Sequence, residues 1–302
     1  MVVGIPRERK DHEGRVGLTT AGASALVRGG CPVLLEQDAG IVAGFAPEAY
    51  AAAGAELVPN AADVWGRAGL IVKVKGPLPN EFAYLRPGLA LFTFLHLVAL
   101  PELTRQLIAR QVTAIGYETV RLPDGRLPLL EPMSDIAGRL ATQVGAHFLQ
   151  TPNGGRGVLL GGAPGAPPAH VVVIGAGRSG TAAIEVAHGM GAQVTAIDRD
   201  PGVLASLAER FRRRLTTAIS TPETIAGAVA SADLLITAVL VAGARAPVIV
   251  TAAMVATMPR GSVIVDVAVD QGGAVETSRP TTHSDPVFVT HGVIHYGVTN
   301  TA

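Results

Sequence analysis

Short runs of β-branched and other apolar residues alternate with alanine-rich stretches along this chain of 302 residues, and the alternation limits the folds open to it. Before residue 120, apolar runs predict strands at 2–5, 32–36, 70–75, 89–94 and 112–117. Two segments between them, "TTAGASALVRGG" and "LPELTRQLIARQ", have the composition of helices, and the second carries Pro101 in its first turn. Strands separated by helices predict a parallel sheet with helices on both faces.

The same alternation starts again near residue 170. "HVVVIGAGRSG" predicts a strand and a glycine turn, "TAAIEVAHGMG" a helix that ends at Gly191, and "QVTAIDRD" a second strand. Three further strands are predicted in "ADLLITAVL", "GSVIVDVAVD" and "GVIHYGVTN". We therefore expect an α/β protein with two doubly wound, Rossmann-like parallel-sheet domains, at 1–128 and 129–302, and a cleft between them.

The segment "MSDIAGRLATQVGAHFLQ", residues 133–150, predicts a long helix at the start of the second domain. Ser134 is a favourable N-cap residue, and Asp135 would then lie in the first turn. Apolar residues recur every four positions, at Ile136, Leu140, Val144 and Phe148. This spacing predicts one apolar stripe along the helix.

The composition excludes several classes of protein. The chain is 48% hydrophobic and 16% charged, which argues against disorder, and its formal net charge of zero gives no indication of a nucleic-acid or anionic-membrane partner. Cys31 is the single cysteine, so neither an intrachain disulfide nor a metal-ligand spacing is present. No apolar run reaches the ~18 residues of a membrane span, and "MVVGIPRERK" has no signal-peptide pattern. A cytoplasmic protein is expected.

Gly175, Gly177 and Gly180 form a G-x-G-x-x-G pattern between a predicted strand and a predicted helix. In a dinucleotide site the first glycine permits a tight turn, the second lets the backbone approach a pyrophosphate, and the third lets helix pack on strand. The helix N-terminus then offers N–H groups to the phosphates. The ordinary alternative is a tight strand–helix turn that binds nothing.

The end of the next predicted strand carries Asp198. A carboxylate at this place accepts hydrogen bonds from ribose hydroxyls and repels a 2′-phosphate, so it favours NAD as the cofactor. Arg199 beside it leaves room for NADP.

The stretch "LIVKVKGPLP", residues 70–79, places two lysines in an apolar strand. Strand alternation would point Lys73 and Lys75 to the same face. One explanation is an edge strand protected by charges. The other is that a cation is held at the carboxyl end of the strand to meet an anion.

Four polar residues lie at or beyond the ends of predicted strands: Arg15, Lys75, His96 and Asp270. In doubly wound sheets ligands bind beyond the carboxyl ends of the strands, so these residues could converge. The chemistry suggested is hydride transfer at a carbon that bears an amine and a carboxylate. Arg15 and Lys75 would hold the carboxylate, His96 would be the general acid/base, and Asp270 would orient water or the amine and stabilise an iminium. Taken singly, each has an ordinary alternative: a solvated charge, a core histidine or a turn aspartate.

The longer motifs resemble one family. They are "GIPRERKDHEGRVGLT", "KVKGPLP", "LFTFLHL", "YETV", "EPMSDIAGR", "NGGRGVLLGG" and "SVIVDVAVDQGGAVETSRPTTHSDPVF". Together they are similar to the alanine dehydrogenase family, relatives of the NAD-binding subunit of proton-translocating transhydrogenase. The resemblance implies an NAD-dependent amino-acid dehydrogenase that converts L-alanine, or a related small L-amino acid, to the 2-oxo acid and back.

The resemblance also implies roles for residues. The family's carboxylate-binding arginine and lysine match Arg15 and Lys75, and its catalytic histidine and aspartate match His96 and Asp270. Nicotinamide-side contacts match positions at or near Met133, Ser134 and Asn300. By this resemblance Lys75 is the substrate cation, while Lys73 is a neighbour to which the resemblance assigns no role.

Other members of the family continue past a segment like "HYGVTN" into helices that return to the first domain, whereas this sequence stops at Ala302. We therefore expect a homo-oligomer whose partner covers an apolar patch on the first domain.

Two alternatives to the alanine dehydrogenase function stay open. One is the same redox scaffold acting on a larger oxo acid or an imine, and the other is a catalytically weak nucleotide-binding subunit.

Overall fold

The structure is a computed structural model that describes residues 1–239, 245–299 and 301. The chain divides into two compact units, Met1–Leu129 and Leu130–Ala302. Within the described ranges, no helix is both long enough and apolar enough to cross a bilayer.

The first unit is a six-stranded sheet in the order β3-β2-β1-β4-β5-β6. Its strands are β1 Val3–Ile5, β2 Val33–Glu36, β3 Glu56–Val58, β4 Leu70–Lys75, β5 Ala90–Phe94 and β6 Thr113–Gly116. Its helices are α1 Thr20–Arg28, α2 Pro47–Ala52, α3 Ala61–Arg67 and α4 Pro101–Ala109. Every strand pairing is parallel, as the alternating sequence pattern predicts.

Two hydrophobic clusters cover the two faces of this sheet. Ala23 of α1 and Tyr50 of α2 pack with Ile5 on one face, and Trp65 of α3 packs with Leu103 of α4 and other residues on the opposite face. The helices therefore lie on both sides of the sheet. The short strand β3 is not predicted by the sequence because its run "ELV" lies at the sheet edge, with Glu56 and Leu57 exposed.

The second unit is a seven-stranded sheet in the order β12-β13-β11-β10-β7-β8-β9. Its strands are β7 His170–Ile174, β8 Gln193–Asp198, β9 Thr216–Ile219, β10 Leu234–Thr237, β11 Val263–Asp266, β12 Val287–Thr290 and β13 Val293–Tyr296. Its helices are α5 Glu131–Phe148, α6 Arg178–Gly189, α7 Pro201–Arg210, α8 Pro222–Ala230 and α9 Ala252–Val255. The β12–β13 hairpin is antiparallel, and the other pairings are parallel. The predicted α/β fold class is confirmed.

Helix α5 begins at Glu131, so the prediction of Ser134 as its N-cap is wrong. The Ser134 N–H donates to the Leu130 carbonyl at 3.0 Å, which is an ordinary contact inside the helix. Pro132 explains the earlier start. Proline has no N–H, and the N–H groups in the first turn of a helix have no acceptor within the helix, so proline is favourable there. Asp135 pairs instead with Arg178 of α6, through distances of 3.0 and 2.8 Å.

The buried face of α5 is also not the predicted stripe, since Ile136 is 42% exposed. Small residues line that face: Ala137, Gly138, Ala141, Thr142 and Gly145. A Cβ added at Gly138 would lie 2.0 Å from the Ser179 carbonyl oxygen. Close contact with α6 therefore selects small residues rather than large apolar ones.

Strand β4 lies between β1 and β5, so the edge-strand explanation of its lysines is wrong. The Lys73 side chain is 1% exposed. Its Nζ lies 2.7 Å from Glu81 Oε1 and 3.7 Å from Glu8 Oε2. Burial raises the pKa of Glu8, and the attraction of Lys73 opposes that rise. Lys73 is therefore a buried structural charge with two carboxyl partners.

Replacement of Lys73 by methionine should destabilise the protein by ~3–5 kcal/mol, because it leaves two buried carboxyls without their cation. The loss should shrink as the pH is lowered, since burial raises the pKa of Glu8 and its protonation removes an unpaired negative charge. Urea unfolding at several pH values measures both effects. Arg67→Met is the matched control, because it breaks the exposed ion pair with Glu56 and should change stability little. Equal unfolding midpoints for the two variants would contradict the role given to Lys73.

Candidate active site

The glycine turn joins β7 to α6 and has the geometry that its sequence predicts. Gly175 has φ +90°, and a Cβ there would lie 2.6 Å from the Ala238 carbonyl oxygen. A Cβ at Gly180 would lie 1.7 Å from the Gly175 carbonyl oxygen, whereas a Cβ at Gly177 would meet nothing within 4 Å. The fold thus requires the first and third glycines, while the second leaves open space at the N-terminus of α6.

Asp198 ends β8 beside this turn. One carboxylate oxygen accepts the Ala176 N–H at 2.6 Å, and the other accepts the Asp200 N–H at 2.9 Å. Both bonds fix the carboxylate next to the helix N-terminus and the open space at Gly177. This arrangement fits a dinucleotide, with N–H groups for its phosphates and an acceptor for its ribose.

Arg15 lines a cavity of about 460 Å³ in the first unit, together with Glu8 and Glu13. Its Nε and Nη2 donate to Glu13 at 2.8 and 2.6 Å, and its backbone N–H donates to the same carboxylate at 2.9 Å. The Glu13 side chain is only 2% exposed, whereas that of Arg15 is 32% exposed. A buried carboxylate therefore holds one edge of the guanidinium.

Lys75 and His96 lie at the ends of the neighbouring strands β4 and β5 and share one aromatic neighbour. Lys75 Nζ is 5.8 Å from the centre of the Phe94 ring. The His96 imidazole stacks on that ring, with centroids 6.0 Å apart and an interplanar angle of 15°. The structure therefore brings these two predicted site residues to the same edge of the sheet.

Glu8 connects this strand end to the cavity that contains Arg15. Its Oε1 accepts the Val74 N–H at 2.6 Å, where the pairing of β4 with β5 shifts register between Val72 and Lys75. The same side chain lines the Arg15 cavity. Sequence reasoning assigned no role to Glu8, although its position in the family-like run "GIPRERK" was a usable signal.

Asp270 lies in a 3₁₀ helix, Val267–Gln271, and not directly at a strand end. The predicted strand in "GSVIVDVAVD" is too long, since β11 ends at Asp266. The Asp266 carboxylate turns the chain there, because it accepts the N–H groups of Ala268 at 3.1 Å and Ala274 at 3.0 Å. These bonds join the two ends of the loop that carries Asp270.

Asp266 is itself a buried group that the sequence did not single out, at 2% exposure. It also accepts the Thr237 hydroxyl of β10 at 2.8 Å. Burial raises the pKa of Asp266, and hydrogen bonds from Thr237 and Ser278 oppose that rise. The carboxyl thus links β10 to the Asp270 loop.

Met133 and Ser134 lie in the N-terminal part of α5. Asn300 lies outside the described residues. Within the part of the chain that the structure describes, no cluster of three histidine, cysteine or carboxylate side chains could hold a metal ion.

Two sequence patterns of one protein family match this chain, one in each unit. The pattern described as "Alanine dehydrogenase/PNT, N-terminal domain" matches residues 4–137. The pattern described as "Alanine dehydrogenase/PNT, C-terminal domain" matches residues 141–302. The chain belongs to the alanine dehydrogenase/PNT family. The predicted resemblance is thereby confirmed.

Named relatives in the family are similar over nearly the whole chain. Alanine dehydrogenase of Bacillus subtilis (strain 168) is 52% identical over 302 residues, covering 99% of this chain and 79% of the relative. Alanine dehydrogenase of Staphylococcus haemolyticus (strain JCSC1435) is 50% identical, covering 99% of this chain and 80% of the relative.

Solved structures agree. An L-alanine dehydrogenase superposes with a TM-score of 0.90 at 52% identity, covering 99% of this chain and 83% of the other. A transhydrogenase from Sinorhizobium meliloti gives a TM-score of 0.81 at 27% identity, covering 100% of this chain and 87% of the other.

Substitutions at Gly177 and Gly180, at the start of α6, should have different effects, one on dinucleotide binding and the other on stability. Gly180→Ala should lower the melting temperature, because its Cβ would overlap a backbone carbonyl, and overpacking costs about 1–3 kcal/mol. Gly177→Ala should melt like the parent but bind a dinucleotide about tenfold more weakly, ~1.4 kcal/mol, because the methyl group occupies the open space. Thermal melts and NADH titration measure the two effects.

Gly189→Ala is the matched control, since a Cβ at this α6 glycine also meets nothing within 4 Å. It should change neither dinucleotide affinity nor the fold. If Gly177→Ala binds NADH as tightly as this control, the open space is not a ligand site.

Proposed function

We propose that the protein is an NAD-dependent L-alanine dehydrogenase, which interconverts L-alanine with pyruvate and ammonium. The observation that carries the proposal is the 52% identity to an alanine dehydrogenase over essentially the whole chain. The sequence also contains the four residues to which the resemblance assigns the chemistry, Arg15, Lys75, His96 and Asp270. In this proposal the first domain, predicted from the sequence at 1–128, binds the amino acid or oxo acid. The second domain, predicted at 129–302, binds NAD.

The first unit would bind the substrate carboxylate through Arg15 and Lys75. Glu13 holds the Nε and Nη2 atoms of Arg15, which fixes the plane in which the N–H donors of the guanidinium lie. Arg15 would therefore contribute directed hydrogen bonds, and Lys75 a compact positive charge.

His96 would move the proton in this reaction. During oxidation the amino group of the substrate first loses a proton to solvent; the neutral amine then loses a hydride and becomes an iminium, to which water adds. His96 would take the proton of that water, and it would return a proton when ammonia leaves. Asp270 would stabilise the positive charge of the iminium and orient the water.

When bound, NAD would supply the hydride acceptor for oxidation, and NADH the hydride donor for the reverse direction. The residues of the second unit that would hold it are the glycines at 175, 177 and 180 and Asp198, with contacts from Met133, Ser134 and Asn300. Support comes from the open space at Gly177 and from the Asp198 carboxylate fixed beside the Ala176 N–H.

We also propose that the protein forms a homo-oligomer. Ile108 on α4 and Ile115 on the edge strand β6 are 72% and 43% exposed, and exposed apolar surface favours association. A cytoplasmic location stays a prediction from the sequence.

The direct test is oxidation of NADH in the presence of ammonium and a panel of 2-oxo acids. Pyruvate should be the fastest substrate. Faster turnover of a larger oxo acid would favour the second function that the sequence leaves open. No turnover of any oxo acid, with NADH bound, would favour the nucleotide-binding subunit.

His96→Ala should lower turnover of pyruvate by ~10²–10⁴ while NADH binding stays nearly unchanged, because the general acid/base is lost and the cofactor contacts are not. Lys75→Ala should slow the reaction and also raise the KM for pyruvate, because Lys75 would meet the carboxylate. Steady-state kinetics and NADH fluorescence titration separate these effects. His147→Ala, at an exposed histidine of α5, should have full activity. A fully active His96→Ala enzyme would rule out the proposed site.

Cofactor preference should depend on Asp198. NAD should bind more tightly than NADP, because the carboxylate would face the 2′-phosphate, and Asp198→Asn should narrow the difference by improving NADP binding. Calorimetric titration with both cofactors checks this. Equal affinity of the parent protein for NAD and NADP would contradict it.

A further inference from the structure

His96 has an unusual backbone conformation at the end of β5. Its φ of 48° and ψ of 42° lie in the left-handed region, which residues with a Cβ rarely adopt. A left-handed residue other than glycine costs on the order of 1–2 kcal/mol, so the surrounding structure must impose it. The same backbone angles decide where the imidazole points.

Glu118 holds this backbone in place. It lies in a 3₁₀ segment, Tyr117–Thr119, that directly follows β6, the neighbour of β5. Its Oε1 accepts the His96 N–H at 2.7 Å, and both carboxylate oxygens lie 3.2 Å from the Leu95 nitrogen. Hydrogen bonds to a carboxylate are stronger than those between neutral groups. Glu118 therefore accepts hydrogen bonds from two successive N–H groups, those of Leu95 and of the left-handed residue His96.

The surroundings of Glu118 are built for this contact. A Cβ at Gly116 would lie 3.1 Å from the Glu118 carboxyl group, so a larger residue there would crowd the carboxylate. Tyr117 packs edge-on against Phe94, with centroids 5.0 Å apart. Phe94 in turn stacks on the His96 ring. The segment that carries Glu118 thus fixes the backbone of His96 directly and its ring through Phe94.

We propose that Glu118 is a positioning residue for His96: its carboxylate holds the left-handed turn that aims the imidazole at the reacting atoms. The inference rests on the function proposed above and adds a residue that neither the sequence motifs nor the comparisons assign. Glu118 acts through His96 and does not itself touch the substrate.

The test is a double-mutant cycle of Glu118→Ala with His96→Ala, measured as kcat and KM for pyruvate reduction. Glu118→Ala alone should lower kcat by about 10- to 100-fold, the effect of misplacing a catalytic group by about 1 Å, with a much smaller change in KM. In the His96→Ala background it should cause no further loss, because the group that it positions is already gone.

Three controls complete the cycle. Glu118→Gln retains one acceptor oxygen for the His96 N–H and should recover part of the lost kcat. Glu102→Ala removes an exposed glutamate of α4 that pairs with Arg105 and should have full activity. Thermal melts and NADH titration should show that every variant is folded.

The outcomes separate the two proposals. If Glu118→Ala keeps full kcat, or slows the His96→Ala enzyme by the same factor as the parent, Glu118 does not act through His96 and the inference is wrong. If His96→Ala itself keeps full activity, the proposed site is wrong instead, and the inference falls with it.

Discussion

The buried ammonium group of Lys73 organises the centre of the first unit. It lies on β4, a strand in the middle of the sheet, where a charge is tolerated only with partners close by. Those partners are Glu8 from the loop after β1 and Glu81 from the 3₁₀ helix Pro79–Tyr84 after β4. Glu8 also takes the Val74 N–H where the strand pairing shifts, and it lines the Arg15 cavity. One buried charge thereby ties together the segments that carry Arg15 and Lys75.

Near each of the four predicted catalytic and substrate-binding residues, a carboxylate accepts hydrogen bonds from backbone N–H groups. Glu13 takes the N–H of Arg15 itself, Glu8 that of the residue before Lys75, and Glu118 those of Leu95 and His96. Asp266 takes N–H groups on either side of Asp270. N–H groups in turns beyond strand ends, and at the register shift in β4, lack ladder partners. A carboxylate supplies two acceptor oxygens in a fixed arrangement. The sheet fixes where each strand ends, and the carboxylates fix how the chain leaves it.

Local patterns predicted the parts of the structure that local physics decides. The strands at 70–75 and 170–174 and the glycines at 175 and 180 follow from short-range periodicity and steric limits. The start of α5 was missed because a proline in the first turn competes with a good capping residue further on. The partners of Lys73 and the role of Asp266 could not be predicted, since each depends on contacts between segments distant in sequence. Resemblance supplied the candidate site residues, but not the carboxylates that hold them.

The pairing of Arg15 with Glu13 has a consequence for how an anion would reach this cavity. A guanidinium held against a carboxylate is nearly neutral from a distance, because the two fields cancel beyond a few ångströms. The pair would therefore add little to the long-range attraction of a small carboxylate, and its own contribution to the rate of association would depend little on ionic strength. Arg15 would instead distinguish one acid from another at contact, through the geometry of its donors.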